Sequence, residues 1–364
     1  MVEISAYTGK YNQFARQLLQ KYYAENKDRN LVLSPFSILM LLGIAADATA
    51  SNTRAEILRV LSDDLDCDEI TNLLCKIQAV LTEGHALSSA NAVCVQHTIE
   101  DTITPDYPVF LQAQFGGQLF STPDIISSVN NWVKANTHGL IDKVANDSMK
   151  DMLACLINAT AFEGKWTKHY TRNDIEYREF SSSDGTTKEV AMIEDSEREY
   201  VENDSFTGFV KPYKNIDYAF MPLLPKKKSV ASLNISFKKL DFTELYETRT
   251  QERVVVSLPE FKYSFDDDLT SYCKSLGINE IFSNLADFSP FSSARLKMDS
   301  IIHKARIEVD RNGTKAAAVT MGIVCAGCAP RFDYKIVELN RPFVYAIIHT
   351  KTGLPVFTGI VNKL

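Results

Sequence analysis

Residues 313–330 read GTKAAAVTMGIVCAGCAP, a segment that fits neither a buried core nor a permanent loop. No residue from Ala316 to Pro330 is charged, the side chains are small, and no proline occurs before Pro330. So many alanines and glycines bury little apolar area, which disfavours an ordinary core strand. Apart from its glycines, the segment also lacks the residues that form turns.

The alternation of side chains in this segment suits a strand that buries one face. Successive residues of a strand point to opposite faces, so if Thr314 points inward, Ala316, Ala318 and Thr320 do the same. The charged residue Lys315 then points outward. The segment is therefore in register to join a sheet with one buried face, and we interpret it as a loop that can become a strand.

The composition of the chain excludes several classes of protein. With 364 residues, 45% of them hydrophobic and 23% charged, the chain is long enough for a large core and is not disordered. A net charge of −7 disfavours binding to nucleic acid or to an anionic membrane, both of which need excess Lys and Arg. The seven scattered cysteines are too few for a disulfide-built scaffold. No run of about 18 apolar residues suggests a membrane span.

Hydrophobic periodicity predicts helices first and strands later. Ser34-Pro35 is typical of a helix start, and Thr53-Arg-Ala-Glu56 predicts a capping box for the next helix. Further helices are expected over 65–82 and 128–145, and strands over 153–162, 254–263 and the hairpin 342–361. Since no repeat, linker or shift of composition divides the chain, we expect one α+β domain over residues 1–364.

Several segments resemble the serpin family. IIHKARIEVDRNGTKAAAVT (301–320) resembles the strand and hinge that precede the serpin reactive loop. Other segments resemble serpin motifs in the family's order: LVLSPFSI (31–38), INATAFEGKWT (157–167), FSSSDGTTKEVAMI (180–193), VSLPEFKY (256–263), LGINEIF (276–282), ADFSPF (286–291) and NRPFVYAIIHTKTGLPVFTGIVN (340–362). Each motif is weak alone, but together they cover nearly the whole chain. One departure is Ser51, where the family usually has glycine.

The resemblance implies a fold and a mechanism. The fold is a single serpin-type domain: helices on a large central β-sheet, two smaller sheets, and an exposed reactive loop at about 313–335. Serpins trap a serine protease, or alternatively a cysteine protease, as suicide substrates. The protease cleaves the loop and forms an acyl-enzyme, and the loop then inserts into the central sheet with the protease attached. The implied partner is therefore a target protease in a covalent complex, and the inhibitor is expected to be a monomer.

The resemblance also implies roles for individual residues. The hinge must be small and free of proline to insert, a demand met by Gly313, Thr314, Lys315, Ala316, Ala317 and Ala318. Matching the family's motifs, the shutter that lets the sheet open would contain Ser34, Ser37, Asn158 and His303. Trp166 matches the tryptophan of the breach, where insertion begins.

The position of the scissile bond has two candidates. Family spacing from Gly313 points to Gly327–Cys328, whereas counting back from Arg341-Pro342 points to Cys328–Ala329. The small residues of this window favour an elastase-like protease, which would accept Ala326, Gly327 or Cys328; a trypsin-like protease would need Arg331. Cys325 and Cys328 form a C-x-x-C, which we interpret as two small loop residues, with a redox-sensitive bait as the alternative hypothesis.

Other functions are less consistent with the sequence. No G-x-S-x-G elbow, phosphate-binding loop or zinc-protease motif occurs, so we do not expect an enzyme, a cofactor or a metal site. A non-inhibitory serpin, with a carrier, chaperone or storage role, remains the alternative function. Glycosaminoglycan binding is not expected, because residues 62–69 are acidic. Without a signal peptide, the chain is expected to be intracellular or a secreted form whose leader has been removed.

Overall fold

The computed structural model describes residues 3–84, 86–141, 143–214, 216–227, 237–299, 301–314 and 334–364. By its contacts the chain divides into two compact units. The first unit comprises residues 1–10, 36–161 and 266–305, and the second comprises 11–35, 162–265 and 306–364. None of the helices in the described ranges has the length and apolar composition needed to cross a membrane.

The helices fall mainly in the first half of the chain, as the sequence predicts. Their bounds are α1 Ile4–Glu25, α2 Pro35–Ala48, α3 Ser51–Leu61, α4 Cys67–Thr82, α5 Tyr107–Phe115, α6 Ile125–Asn136, α7 Phe242–Glu247 and α8 Thr270–Ser275. Short 3-10 helices occupy His97–Thr102, Asp147–Met149, Arg172–Asp174, Phe237–Lys239 and Glu280–Phe282.

Strands dominate the second half. They are β1 Leu31–Leu33, β2 Leu87–Gln96, β3 Gln118–Thr122, β4 Ala154–Phe162, β5 Gly164–Lys165, β6 Ile175–Ser181, β7 Thr187–Glu202 and β8 Phe206–Pro212. The remaining strands are β9 Tyr218–Pro225, β10 Thr250–Pro259, β11 Phe261–Asp268, β12 Ile302–Asp310, β13 Gly313–Thr314, β14 Lys335–Glu338, β15 Phe343–His349 and β16 Pro355–Val361. The single strand expected over 254–263 is two strands, β10 and β11, which meet at Glu260.

The strands form one large sheet and two smaller ones, so the predicted α+β fold class is confirmed. The nine-stranded sheet has the order β1-β16-β15-β9-β8-β7-β10-β14, with β6 paired to β7. The four-stranded sheet has the order β11-β12-β13-β5, and the three-stranded sheet has the order β3-β2-β4. The predicted C-terminal hairpin is confirmed as β15 and β16, joined at Gly353 with a φ of 69°.

In the first unit, α6 covers one face of the three-stranded sheet. Its residues Ile125, Val129 and Val133 are buried in one apolar cluster with Ala92 and Cys94 of β2. The cluster also contains Ile157, Ala159 and Ala161, which alternate along β4. These alternate residues share one face, as the pleat of a strand requires.

One helix prediction is confirmed and the one capping prediction is wrong. The helix predicted over 65–82 is α4, and Asp66 and Glu69 form a capping box at its start. The capping box predicted at Thr53 and Glu56 is wrong, because α3 begins earlier and the Thr53 hydroxyl donates to Glu280 Oε1 at 2.6 Å. Ser51 starts α3 with a φ of 53°, a left-handed conformation in which glycine is favoured.

Candidate functional site

The hinge begins as a short strand in the four-stranded sheet. Within the second unit, Gly313 and Thr314 form β13, which lies between β12 and β5 and is antiparallel to both. Thr314 is opposite Val309 on one side and Gly164 on the other. The chain therefore turns at the end of β12 and its first hinge residues already have strand geometry.

A glycine is required at the first position of β13. Gly313 has a φ of 151°, which side chains rarely adopt, and a Cβ there would lie 2.1 Å from the carbonyl oxygen of Gly164. The same Cβ would lie 2.8 Å from the Cα of Lys165. Both atoms belong to the backbone, so neither can move aside without displacing β5.

Thr314 points into the protein, which is the orientation that the sequence analysis took as its condition. Its residue surface is 3% exposed, and its hydroxyl shares a hydrogen bond of 2.5 Å with the Tyr213 hydroxyl. Burial raises the pKa of Tyr213 far above its ordinary value. The tyrosine is therefore a neutral phenol, able to donate or accept a proton in this bond.

Trp166, the predicted breach residue, stacks on the same tyrosine. The Trp166 and Tyr213 rings are 4.7 Å apart with an interplanar angle of 10°. The indole N–H donates to the Asp310 carbonyl oxygen at 2.7 Å, and the backbone N–H of Trp166 donates to the Asn312 carbonyl oxygen at 3.1 Å. Trp166 thus contacts both the end of β12 and the tyrosine that bonds Thr314.

A buried lysine lies close to the tryptophan ring. Lys211 Nζ is 5.2 Å from the centre of the Trp166 ring and forms ion pairs with Glu197 at 2.5 Å and with Asp195 at 3.4 Å. It also donates to the Tyr170 hydroxyl. Burial raises the pKa of Glu197, although Lys211 opposes the shift. A cavity of about 610 Å³ in the second unit is lined by Tyr170, Asp195, Glu197 and Lys211.

An ion pair just before the hinge was not foreseen from the sequence. Arg311 donates from its backbone N–H and from Nε to Glu260 Oε1, each at 3.0 Å, and from a terminal nitrogen to Oε2 at 3.2 Å. We call these hydrogen bonds the Arg311–Glu260 fork. The fork holds the turn between β12 and β13 against residue 260, where β10 and β11 meet. The partners are 51 residues apart, so no local pattern could identify them.

The structure brings the predicted shutter residues Ser37 and Asn158 together. In the first unit, the Ser37 hydroxyl donates to Asn158 Oδ1 at 2.5 Å. The amide nitrogen of Asn158 donates to Asn91 Oδ1 at 2.7 Å and to Ser89 Oγ at 3.2 Å, so the sequence analysis missed two members of this polar cluster. In the second unit, the Ser34 hydroxyl donates to the Val356 carbonyl oxygen at 3.0 Å.

The fourth predicted shutter residue, His303, is buried on β12. Its residue surface is 3% exposed. Burial lowers the pKa of the imidazole from 6.5 to about 4. The ring is therefore neutral at physiological pH and becomes charged only in acid. Charging it there lowers the stability of the folded protein.

The remaining site predictions lie outside the described residues. They comprise the hinge residues Lys315, Ala316, Ala317 and Ala318 and the candidate reactive-bond residues Ala326, Gly327, Cys328, Ala329 and Arg331. Among the residues that are described, no group of three or more His, Cys, Asp or Glu side chains is arranged to hold a metal ion.

The fold and the site define a class of protein in which a strand, here β12, and the glycine hinge that follows it, here Gly313 and Thr314, are held in one sheet. The chain belongs to the serpin family: the family model Serpin (serine protease inhibitor) matches residues 9–364. Serpins are generally inhibitors that act on target proteases rather than catalysts, although some are non-inhibitory.

Relatives match over nearly their full length. Iripin-2 from Ixodes ricinus is 29% identical and covers 97% of this chain and 92% of its own. Leukocyte elastase inhibitor A from Mus musculus is 27% identical, covering 96% of this chain and 97% of its own. The crystal structure of tengpin, a thermophilic serpin in the native state, superposes with a TM-score of 0.88 and 30% identity, covering 98% of this chain and 94% of its own.

Proposed function

We propose that this protein inhibits a protease as a suicide substrate. The protease cleaves the loop that follows Thr314 and becomes an acyl-enzyme, and the cleaved loop extends β13 as a new strand in the four-stranded sheet, which contains the hinge. The covalently attached protease is carried with the loop and its active site is distorted. Inhibition is a single turnover that leaves a covalent 1:1 complex, and the proposed inhibitor is a monomer.

The observation that carries this proposal is the strand geometry of Gly313 and Thr314. Because β13 pairs with strands on both sides, a cleaved loop can continue the same ladder instead of starting a new one. Thr314 faces the interior, so Ala316 and Ala318 would follow it inward and Lys315 would face outward. The side chains required to enter the sheet are then small and uncharged.

We propose an elastase-like protease as the target and Gly327–Cys328 as the reactive bond. A shallow primary pocket accepts the small residues of the window from Ala326 to Ala329, with Cys328–Ala329 the second candidate bond. The name of the murine relative, leukocyte elastase inhibitor A, supports the same protease class. Trypsin-like cleavage would have to use Arg331, directly after Pro330.

The mechanism is tested by changing Thr314. Thr314→Arg places a charge where the side chain is buried beside Tyr213, and a buried unpaired charge opposes insertion. The wild type should form an SDS-resistant complex with elastase, whereas the arginine variant should be cleaved without forming one. Thr314→Ser, which keeps the hydroxyl, is the matched control and should trap protease as the wild type does.

The outcomes separate the mechanism from its alternatives. If the arginine variant traps protease with unchanged stoichiometry, insertion through this hinge is refuted. If the wild type is only cleaved by every serine and cysteine protease of a panel, the chain is a non-inhibitory serpin. Mass spectrometry of the released C-terminal peptide identifies the bond, and rapid trapping of trypsin after Arg331 with none of elastase would refute the proposed target.

A further inference from the structure

Two cysteines lie opposite each other on neighbouring strands of the first unit. The backbone N–H of Gln96 in β2 donates to the carbonyl oxygen of Leu153, at the start of β4, at 2.8 Å. Five residues back from Gln96 and five forward from Leu153, Asn91 and Asn158 share a side-chain hydrogen bond. The two strands are thus antiparallel in a constant register. Two residues from Gln96 and Leu153, in the direction of the asparagine pair, this register places Cys94 opposite Cys155.

The two thiols share the face that packs on α6. Cys94 and Cys155 are three positions from the asparagine pair, so they point to the opposite face of the sheet. Cys94 is fully buried in the apolar cluster, and Cys155 packs against that cluster. Both are free thiols, and they lie within hydrogen-bonding distance of each other.

The geometry suits a disulfide. Residues directly opposite each other at a hydrogen-bonded position of an antiparallel pair have Cα atoms about 5.5 Å apart. A disulfide needs a Cα separation of about 4.4–6.8 Å. Bond formation between Cys94 and Cys155 therefore needs a rotation of the side chains without a change of strand register.

Small molecules have room beside the half-buried thiol. Two cavities, each of about 40 Å³, share the residues Met152, Cys155 and Leu156. Since a water molecule needs about 10–15 Å³ of such space, either cavity can admit a molecule the size of hydrogen peroxide.

We propose that Cys94 and Cys155 are a modification site, oxidised by hydrogen peroxide to a disulfide that staples β2 to β4. The Cys155 sulfur attacks the peroxide, the O–O bond breaks, and a sulfenic acid and one water form. The Cys94 sulfur then attacks the sulfenic sulfur and displaces a second water. Two thiols and one peroxide give one disulfide and two waters, and a thiol reductant reverses the reaction.

The environment makes this oxidation slow at neutral pH and faster in alkali. The hydrogen bond with Cys94 and burial raise the pKa of the Cys155 thiol well above its ordinary value. Below that pKa the reactive thiolate increases about tenfold for each pH unit. The rate of disulfide formation should therefore rise about tenfold from pH 7 to pH 8.

The test treats the folded full-length protein with hydrogen peroxide, quenches in acid, and maps disulfides after pepsin digestion without reductant. A peptide joining residues 94 and 155 should appear, with an intact mass lower by about 2 Da, and dithiothreitol should remove it. Cys94→Ala leaves Cys155 without its partner, so the thiol should give a sulfenic acid that dimedone captures. Cys155→Ala should leave Cys94 unmodified.

Three results would overturn the proposal. One is oxidation of wild-type Cys155 to the sulfinic acid with no linked peptide. Another is recovery of both thiols in reduced form after prolonged peroxide treatment at alkaline pH, where the thiolate is more abundant. The third is a disulfide that joins either residue to a different cysteine. Since the wild type itself gives the primary result, a variant that fails to fold does not remove the test.

Discussion

Buried His303 should make this protein lose stability in mild acid. Its pKa falls from 6.5 to about 4 on burial. Between these values the unfolded chain binds a proton that the folded protein excludes, so stability is complete above pH 6.5 and declines as the pH falls. Linkage gives a loss of about 2 kcal/mol at pH 5 and about 3 kcal/mol at pH 4 from this single residue.

The test compares urea unfolding of the wild type and of His303→Gln from pH 7.5 to pH 4.5. Glutamine is neutral throughout. The unfolding free energy of the wild type should therefore fall by about 2 kcal/mol relative to that of His303→Gln as the pH falls to 5. His169→Gln, at an exposed position, is the control for replacing a histidine by glutamine. Parallel curves for the wild type and His303→Gln would show that the buried imidazole does not set the acid response.

Three other substitutions test the contacts around the hinge. Gly313→Ala should lower stability by about 2–3 kcal/mol because its Cβ meets the β5 backbone; an unchanged urea midpoint would contradict the tight approach. A double-mutant cycle on Arg311 and Glu260, which are 35% and 21% exposed, should give a coupling of about 1 kcal/mol that weakens in 1 M salt; zero coupling would contradict the fork. Lys211→Met should cost about 3–5 kcal/mol, since it leaves the buried Glu197 carboxylate without its lysine, whereas Asp195 keeps its ion pair with Lys168. Adding Glu197→Gln should recover part of the loss, and no recovery would mean that lost packing dominates.

The sequence predicts elements whose signals are local. The hairpin of β15 and β16 follows from strand-forming residues on either side of Gly353, and the start of α4 follows from Asp66 and Glu69, which bond within one turn. In such cases the interaction that forms the element lies within a few residues of the pattern. The resemblance to serpins supplied the number of sheets and the larger size of one of them, which periodicity alone does not give.

The sequence misses contacts between residues that are distant in the chain. Thr53 and Glu56 form an apparent capping box, yet the Thr53 hydroxyl donates to Glu280 and the Glu56 carboxylate accepts from the backbone N–H groups of residues 279 and 280, more than 220 positions away. The Arg311–Glu260 fork was missed for the same reason. A local motif states which groups are able to bond, but tertiary packing decides which partner each group meets.

Polar and aromatic contacts, rather than apolar burial, hold the start of the hinge. Gly313 has no side chain, and Thr314 contributes one methyl group and one hydroxyl bond to Tyr213. A hydrogen bond of this kind contributes about 1 kcal/mol net, because water offers the same bond to both groups. The hinge is thus positioned accurately by Tyr213 and Trp166 without being held strongly. Each following residue that joined the ladder would add backbone hydrogen bonds, so under the proposed mechanism the free energy of insertion comes from the length of the inserted strand and not from its first residues.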